Sequence, residues 1–191
     1  MPEFENETES RTFVYNFVHN ALLDHKELTE SLSSQIWNVL VSEHSRNLLI
    51  KRLKWVIQDE ELELVQSLCR GSEAAIGVGV VAFTAHSDLS SVLAGVSGIL
   101  TTMIDLIVRI RRKGAFITKD SALILGLLRT NRAPMSPEEI SLILRKKDQT
   151  SLEPTQVAVI LNSLKATKLG DGNLVALVER NEDNRWWTVG I

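Results

Sequence analysis

The sequence has one cysteine, few aromatic residues and no apolar leader. The single cysteine, Cys69, excludes an internal disulfide and a cysteine-rich zinc site. Aromatic residues make up 5% of the 191 positions and hydrophobic residues 44%, so the core must be mainly aliphatic. Because Cys69 lies in an apolar helical pattern, we expect it in that core rather than as a nucleophile. The missing signal segment and the lone cysteine predict a cytoplasmic protein.

Motifs for catalysis, metals and cofactors are also missing. The chain contains no G-x-x-x-x-G-K-[ST] phosphate loop, and no paired carboxylates or catalytic triad stand out. None of the histidines has a partner at the His-x-x-x-His or Glu-x-x-His spacing that places two metal ligands on one helical face. The histidines are His19, His25, His44 and His86. We therefore predict neither an enzyme nor a metal or cofactor site.

Basic residues are scarce in the first part of the chain. Residues 1–106 contain seven Lys and Arg against fifteen Asp and Glu, a net charge of −8. Residues 107–191 contain fourteen against nine, a net charge of +5. This asymmetry predicts two parts with different partners, although the second part is less basic than dedicated nucleic-acid domains. We divide the chain into domains of residues 1–116 and 117–191.

Helical periodicity dominates residues 1–116, which we predict to be an α-helical domain. Ser10 is a candidate N-cap of the first helix, and Gly71 is a candidate C′ residue that ends a later helix. Beyond Gly71 the chain is rich in Gly, Ala, Ser and Thr. It predicts an apolar helical hairpin formed by residues 73–85 and 89–113.

The apolar segment of residues 74–110 has three interpretations. Its small residues favour close packing of helices inside the protein; they include Gly77, Gly79, Gly95 and Gly98. Self-association through the same surface is the main competitor, and it predicts a homo-oligomer. Insertion into a membrane is the third. The two apolar runs span 12 and 16 residues, fewer than the about 20 needed to cross a bilayer, so we do not expect a spanning helix.

Residues 117–191 have the pattern of three helices followed by a β-hairpin. The first helix has three inward-facing leucines, Leu123, Leu127 and Leu128. The second begins at Ser136-Pro137, and Glu139 completes a capping box with Ser136. The third has Ser151 as its candidate cap. After a glycine turn, "NLVALVER" and "RWWTVGI" predict two strands around the polar tip "NEDN".

This order of elements resembles the winged helix-turn-helix superfamily. The resemblance covers residues 117–191, about two-fifths of the chain, and we identify no family for residues 1–116. It implies that residues 153–167 form a recognition helix in the major groove of double-stranded DNA. It also implies that residues 174–189 form a wing along a flanking backbone.

The predicted recognition helix has an outward face with groups that can contact bases. At about 100° per residue, Val157, Ile160, Leu161 and Leu164 share the core face. The opposite face carries Thr155, Val159, Asn162, Ser163 and Ala166. The candidate base-contacting residues are Thr155, Gln156, Val159, Asn162 and Ser163. Hydroxyl and amide groups hydrogen-bond base edges, and Val159 and Ala166 suit thymine methyl groups. This face has no arginine or lysine, which weakens the prediction of sequence-specific binding.

Cations around that helix are candidate phosphate ligands. The principal ones are Arg145, Lys146, Lys147, Arg180 and Arg185; others are Arg129, Arg132, Lys165 and Lys168. The run 145–147 also ends a helix, where cations complement the helix dipole without any ligand. The run 109–113, "RIRRK", also ends a predicted helix, so its cations can likewise complement the helix dipole instead of contacting DNA.

Trp186 and Trp187 are neighbours on one predicted strand, so their side chains point to opposite faces. We expect one in the core. The other is expected to pack against the N-terminal helices or to be exposed, where it would stack on a base or anchor a protein partner.

Together these patterns favour a DNA-binding protein, such as a transcriptional regulator, whose N-terminal helices dimerise or receive a signal. The first alternative is a protein–protein interaction or assembly module that uses the winged helix without binding DNA. The second is a membrane-associated effector acting through residues 74–110. The expected partner is double-stranded DNA or another protein.

Overall fold

The computed structural model describes residues 3–4, 7–21, 26–41, 55–56, 59–77, 89–131, 133–147 and 150–189. Within these residues the chain is mostly helical, with small two-stranded antiparallel sheets. The helices are α1 (Glu7–Ala21), α2 (Lys26–Val41), α3 (Asp59–Gly77), α4 (Leu89–Arg112), α5 (Lys119–Asn131), α6 (Pro137–Lys146) and α7 (Pro154–Lys165). The strands are β1 (Glu3–Phe4), β2 (Trp55–Val56), β3 (Thr167–Lys168), β4 (Leu174–Val175), β5 (Val178–Arg180) and β6 (Trp186–Thr188).

An aliphatic core runs through the described helices, as the composition predicted. α2 packs on α1 and α4. Cys69 is buried in this core, and burial followed by the nearby Glu73 raises the pKa of its thiol to about 12. The thiol therefore stays protonated at neutral pH, which agrees with the predicted packing role.

Two predicted helix boundaries in the first domain are wrong. Ser10 is not an N-cap, because α1 already begins at Glu7. Instead the Ser10 hydroxyl donates to the Glu7 carbonyl and accepts a hydrogen bond of 2.8 Å from Trp37 Nε1. Gly71 does not end a helix, because α3 continues to Gly77. Residues 73–77 of the predicted hairpin therefore belong to α3, and residues 78–85 lie outside the described residues.

Gly71 lies in the middle of α3, at the point where the backbone of α5 packs directly against it. α3 and α5 make the most extensive contact between elements. A Cβ on Gly71 would overlap the Leu123 carbonyl oxygen, and one on Gly126 would overlap the Leu68 carbonyl oxygen. The Ser72 hydroxyl lies 3.1 Å from both the Leu68 and the Gly126 carbonyl oxygens. Two glycines thus let the helices touch backbone to backbone.

α5 is buried on nearly all sides. We predicted three inward-facing leucines, but residues 121–128 are all buried, and so is Thr130. α3 covers one side of α5, while α7 and β6 contact it from elsewhere. A helix surrounded in this way has no polar stripe, so its sequence periodicity understates its burial.

Three ion pairs join the start of α3 to the α4–α5 connection. Arg111 pairs with Glu60, and Lys119 pairs with Glu63 at 3.0 Å. Arg112 pairs with Glu61 through Nε at 2.9 Å and Nη2 at 3.1 Å. The Glu61 side chain is only 3% exposed. The cluster of Arg109–Lys113 is therefore largely engaged inside the protein, since Arg109 also pairs with Asp105.

The last three helices and β5–β6 form one packed unit. Met135, between α5 and α6, makes an antiparallel bridge to Trp186 with N–O distances of 2.9 and 2.8 Å. The predicted capping box is confirmed, because the Ser136 hydroxyl accepts from the Glu139 N–H and the Glu139 carboxylate accepts from the Ser136 N–H. We refer to residues 117–189 as the C-terminal unit.

Two other predictions in the C-terminal unit need correction. The third helix is capped at Glu153 rather than Ser151, because Pro154 occupies its first turn and Gln156 completes the box with Glu153. The strand predicted as the first of the wing is divided. Leu174–Val175 pairs with Thr167–Lys168, and only Val178–Arg180 pairs with Trp186–Thr188.

The described helices include none with the length and apolar character of a membrane span. α4 confirms the predicted second helix of the apolar hairpin to within one residue.

Candidate nucleic-acid interface

The two faces of α7 are divided as the sequence predicted. Val157, Leu161 and Leu164 are buried, and Ile160 is half-buried. The five candidate base-contacting residues are all exposed: Thr155, Gln156, Val159, Asn162 and Ser163. Leucine and valine at helical spacing fix the inward face by burial. The polar residues between them consequently face solvent together.

Two of the amides on this face are partly engaged. The Asn162 Nδ2 donates to the Ala158 carbonyl at 2.8 Å. The Gln156 Oε1 accepts from the Glu153 backbone N–H at 2.9 Å. A primary amide has two N–H donors and an acceptor oxygen with two lone pairs. Each side chain therefore keeps both donor and acceptor capacity for a ligand.

Val159 is an apolar group in the middle of this polar face. Its side chain is 69% exposed. It lies in a shallow groove between α7 and the start of α5. The residues that line this groove are Asp120, Leu152, Thr155, Gln156, Val159 and Ile160. At this exposure the side chain contributes little to folding through burial, so it is accessible to a ligand.

Two predicted phosphate ligands are engaged in ion pairs. Arg145 on α6 pairs with Glu153, the N-cap of α7, at 3.0 Å. Arg185 on the hairpin pairs with Glu139 and donates to the Pro134 carbonyl at 3.4 Å. The Ser136 N–H, followed by Arg185, lowers the pKa of Glu139 below its usual value. These arginines join helices and hairpin, and a phosphate would have to compete with a carboxylate for them.

Five exposed cations of the C-terminal unit make no ion pair with the described residues. They are Lys146, Lys147, Lys165, Lys168 and Arg180. The Arg180 guanidinium lies 5.6 Å from the centre of the Trp186 ring and donates to the Asn184 side-chain oxygen at 3.4 Å. Arg129 is half-buried, and Arg132 lies outside the described residues. The candidate phosphate contacts therefore reduce to these five.

Carboxylates balance most of this positive charge. Residues 117–191 contain ten basic and nine acidic residues, a net charge of +1. Most of the excess of the second half thus comes from Arg109–Lys113, whose arginines pair with Asp105, Glu60 and Glu61. Glu182 and Asp183 are exposed at the hairpin tip. Attraction for a polyanion is therefore confined to local cations rather than spread over the unit.

The two tryptophans lie as the strand pattern predicted. Trp186 is 1% exposed and forms part of the core, while Trp187 is half-buried. The Trp186 Nε1–H is buried and has no hydrogen-bond partner among the described residues. Trp186 thus serves packing, and its neighbour retains a partly accessible ring.

Some surface residues were not predicted as candidates from the sequence. Leu142 on α6 is 52% exposed, and Phe116 and Leu174 are also exposed. Periodicity assigns apolar residues to the core by default, so it gives no signal for such positions. Among the described residues no three His, Cys, Asp or Glu side chains gather to hold a metal ion. His25, His44 and His86 lie outside that part of the chain.

The chain matches no protein-family model, and comparisons with curated proteins and with solved structures find no similar one.

Proposed function

We propose that the C-terminal unit is a winged helix-turn-helix that binds double-stranded DNA, with α7 as recognition helix and β5–β6 as wing. Three helices, a short bridge before the second helix and a closing hairpin support this assignment. The proposed biological role is that of a cytoplasmic transcriptional regulator. The N-terminal helices would then mediate dimerisation or signal input.

The observation that carries the proposal is the open outward face of α7. No described residue covers Thr155, Val159 or Asn162, and the face offers hydrogen-bonding and methyl groups. Cations that make no ion pair with the described residues lie at the end of α7 (Lys165), just beyond it (Lys168) and at the end of α6 (Lys146, Lys147). A major-groove helix needs this combination of base-contacting groups and phosphate ligands.

A salt titration tests the proposal. We expect full-length protein to bind mixed-sequence duplexes of about 25 base pairs at 50 mM salt. If all five cations contact phosphates, the slope of log K against log salt is about −4.5, so 200 mM salt lowers affinity by two to three orders of magnitude. The absence of binding at 50 mM salt, or binding without salt dependence, would contradict DNA recognition.

Matched charge reversals locate the surface. Lys146→Glu with Lys147→Glu is expected to weaken binding at least tenfold, because two phosphate attractions become repulsions. Arg70→Glu reverses an exposed charge on α3, outside the C-terminal unit, and should leave affinity unchanged. Arg185 is unsuitable for this purpose, because its ion pair to Glu139 makes it part of the fold.

A second candidate function is docking of a protein partner on the same face. The exposure of Val159 and the net charge of +1 over residues 117–191 favour it, because protein interfaces tolerate a neutral surface with an apolar centre. Binding of a protein would fall when Val159→Asp is introduced and would change little with salt. These two responses distinguish it from DNA binding.

A further inference from the structure

We infer that the outward face of α7 selects A·T base pairs in the major groove. This inference rests on the proposed function and names the ligand of the same site. It concerns the stripe formed by Thr155, Val159 and Asn162, together with the adjacent Gln156. All four are exposed.

The stripe has the geometry of a short contact surface. Thr155, Val159 and Asn162 follow one another at spacings of four and three residues, so they lie within a narrow arc of the helix. Seven residues at 1.5 Å per residue span about 10 Å. At 3.4 Å per base pair this length covers about three base pairs. Recognition by α7 therefore concerns a core of that size.

The chemistry of the stripe matches adenine and thymine. An asparagine or glutamine amide pairs with adenine by accepting from N6 and donating to N7, and an apolar side chain contacts the thymine methyl group. Asn162 uses one amide hydrogen on the Ala158 carbonyl and keeps the other together with its oxygen. Val159 projects its methyl groups into solvent beside it. Both halves of an A·T pair thus have a complementary group.

The stripe has little that recognises guanine. The commonest guanine contact is a bidentate arginine or lysine to O6 and N7. α7 contains no arginine, and its one lysine, Lys165, is the last residue of the helix, beyond Asn162 at the end of the stripe. The Lys146 and Lys147 cations are on α6. They can neutralise phosphates, but phosphate contacts carry no direct sequence information.

Selection from a random library tests the inference with the full-length protein. A duplex library with 16 random central base pairs is bound at 50 mM salt, and retained molecules are sequenced over several rounds. We expect enrichment of a core of about three A·T pairs. Salt-dependent binding with no enrichment, or with enrichment of G·C pairs, overturns the A·T inference and leaves the proposed function standing. If no duplex is retained, both fail.

Base analogues separate direct contact from DNA shape, because A·T-rich DNA is also selected through its narrow minor groove. Replacing thymine by uracil removes only the major-groove methyl group. We expect it to weaken wild-type binding about fourfold and to weaken Val159→Ala less, because the smaller alanine side chain makes a smaller contact with the methyl group. Replacing adenine by 7-deazaadenine removes N7, and we expect about a tenfold loss for wild type and none for Asn162→Ala. Each analogue and its substitution form a double-mutant cycle. If the losses from the analogue and from the substitution simply add in both cycles, the proposed contacts are overturned.

We expect Val159→Ala and Asn162→Ala to keep the fold, because both side chains are exposed. The slope of log K against log salt gives a separate readout of phosphate binding. Val159→Ala and Asn162→Ala should retain the wild-type slope, since neither removes a cation. A changed slope would show that these residues act on phosphate binding rather than on base choice.

Discussion

At the scale of single residues, the two glycines Gly71 and Gly98 are both helical, but only Gly71 faces another backbone. A Cβ on Gly71 would overlap the Leu123 carbonyl oxygen and lie 2.9 Å from the Leu127 nitrogen, whereas no atom of the described residues lies within 4 Å of a Cβ on Gly98. Neither of the atoms facing Gly71 is the end of a flexible side chain. One methyl group therefore has opposite effects at the two positions.

We expect Gly71→Ala to lower the free energy of unfolding by about 3 kcal/mol, the upper range for overpacking. Gly98→Ala, the matched control, should raise it by up to about 1 kcal/mol because alanine favours an exposed helix. Thermal unfolding measures both, as a fall of about 10 °C and a rise of about 3 °C. Equal effects at the two sites would show that α3 and α5 do not cross in this way.

The capping carboxylate of Glu139 predicts a pH-dependent contribution to stability. The Ser136 N–H and Arg185 lower its pKa in the folded protein. Its contribution is therefore present above the ordinary value of about 4.5 and is lost as the pH falls through the lowered value. Because the two partners are 45% and 37% exposed, we expect only about 1 kcal/mol.

Urea unfolding of Glu139→Gln tests this expectation. The difference from wild type should be largest at pH 7 and should shrink as the pH is lowered below 4.5. Glu182→Gln removes a charge at the exposed hairpin tip and serves as the control. A difference that stays constant with pH would rule out a role for the carboxylate charge.

At the scale of elements, the start of α3 offers a comparison of buried and exposed ion pairs. Glu61 and Arg112 are 3% and 21% exposed, whereas Glu63 and Lys119 are 50% and 62% exposed. Water screens the second pair, but the first pair holds a charge that burial would otherwise penalise. The cost of removing one partner should therefore differ strongly between them.

Glu61→Ala is expected to lower the free energy of unfolding by about 2 to 3 kcal/mol, since it removes a buried carboxylate that pairs with the mostly buried Arg112. The Leu40 carbonyl, 3.4 Å from Arg112, limits the loss. Glu63→Ala should cost less than about 1 kcal/mol. Chemical denaturation measures the loss in the free energy of unfolding for both variants. Equal losses would contradict the difference in burial between the two ion pairs.

The hairpin tip makes a prediction about the proposed DNA binding. In a winged helix the tip lies near the phosphate backbone, where Glu182 and Asp183 would repel it. Glu182→Gln with Asp183→Asn should therefore raise affinity about two- to fivefold at 50 mM salt. Glu30→Gln on α2 is the control and should have no effect. Unchanged affinity for the tip variant would place the hairpin away from DNA.

At the scale of the whole molecule, α5 determines whether the two predicted domains fold independently. It begins the C-terminal unit, yet α3 covers one of its sides through the Gly71–Gly126 crossing. Removing α3 exposes leucines whose burial contributes about 2 kcal/mol each. A unit of this size has only a few kcal/mol of stability to lose.

A fragment of residues 117–191 is therefore expected to lack a cooperative unfolding transition, while the full-length chain unfolds in one step. Circular dichroism of both during urea titration measures this. A fragment that unfolds cooperatively would establish 117–191 as an autonomous domain. Two separate unfolding transitions in the full-length chain would likewise show that the two parts fold independently.

The particular elements show why sequence prediction succeeded in some places and failed in others. The Ser136–Glu139 capping box and the two faces of α7 were predicted correctly because their determinants lie within one or two helical turns. Gly71 was misjudged because the same residue type ends helices and lets them cross. The predicted first wing strand is two short strands, because its first half pairs with Thr167–Lys168, and Thr167 was assigned to the end of the recognition helix.

The amino-acid pattern by itself determined a mostly helical chain with an aliphatic core and an outward face on α7, since burial follows directly from local spacing. Only the tertiary structure decided which cations are engaged and that α5 is buried on nearly all sides. Arg185 and Glu139 are 46 positions apart, and Arg112 and Glu61 are 51 positions apart. Charges and backbones that meet across such separations do so because packing brings them together, and no local spacing records that meeting.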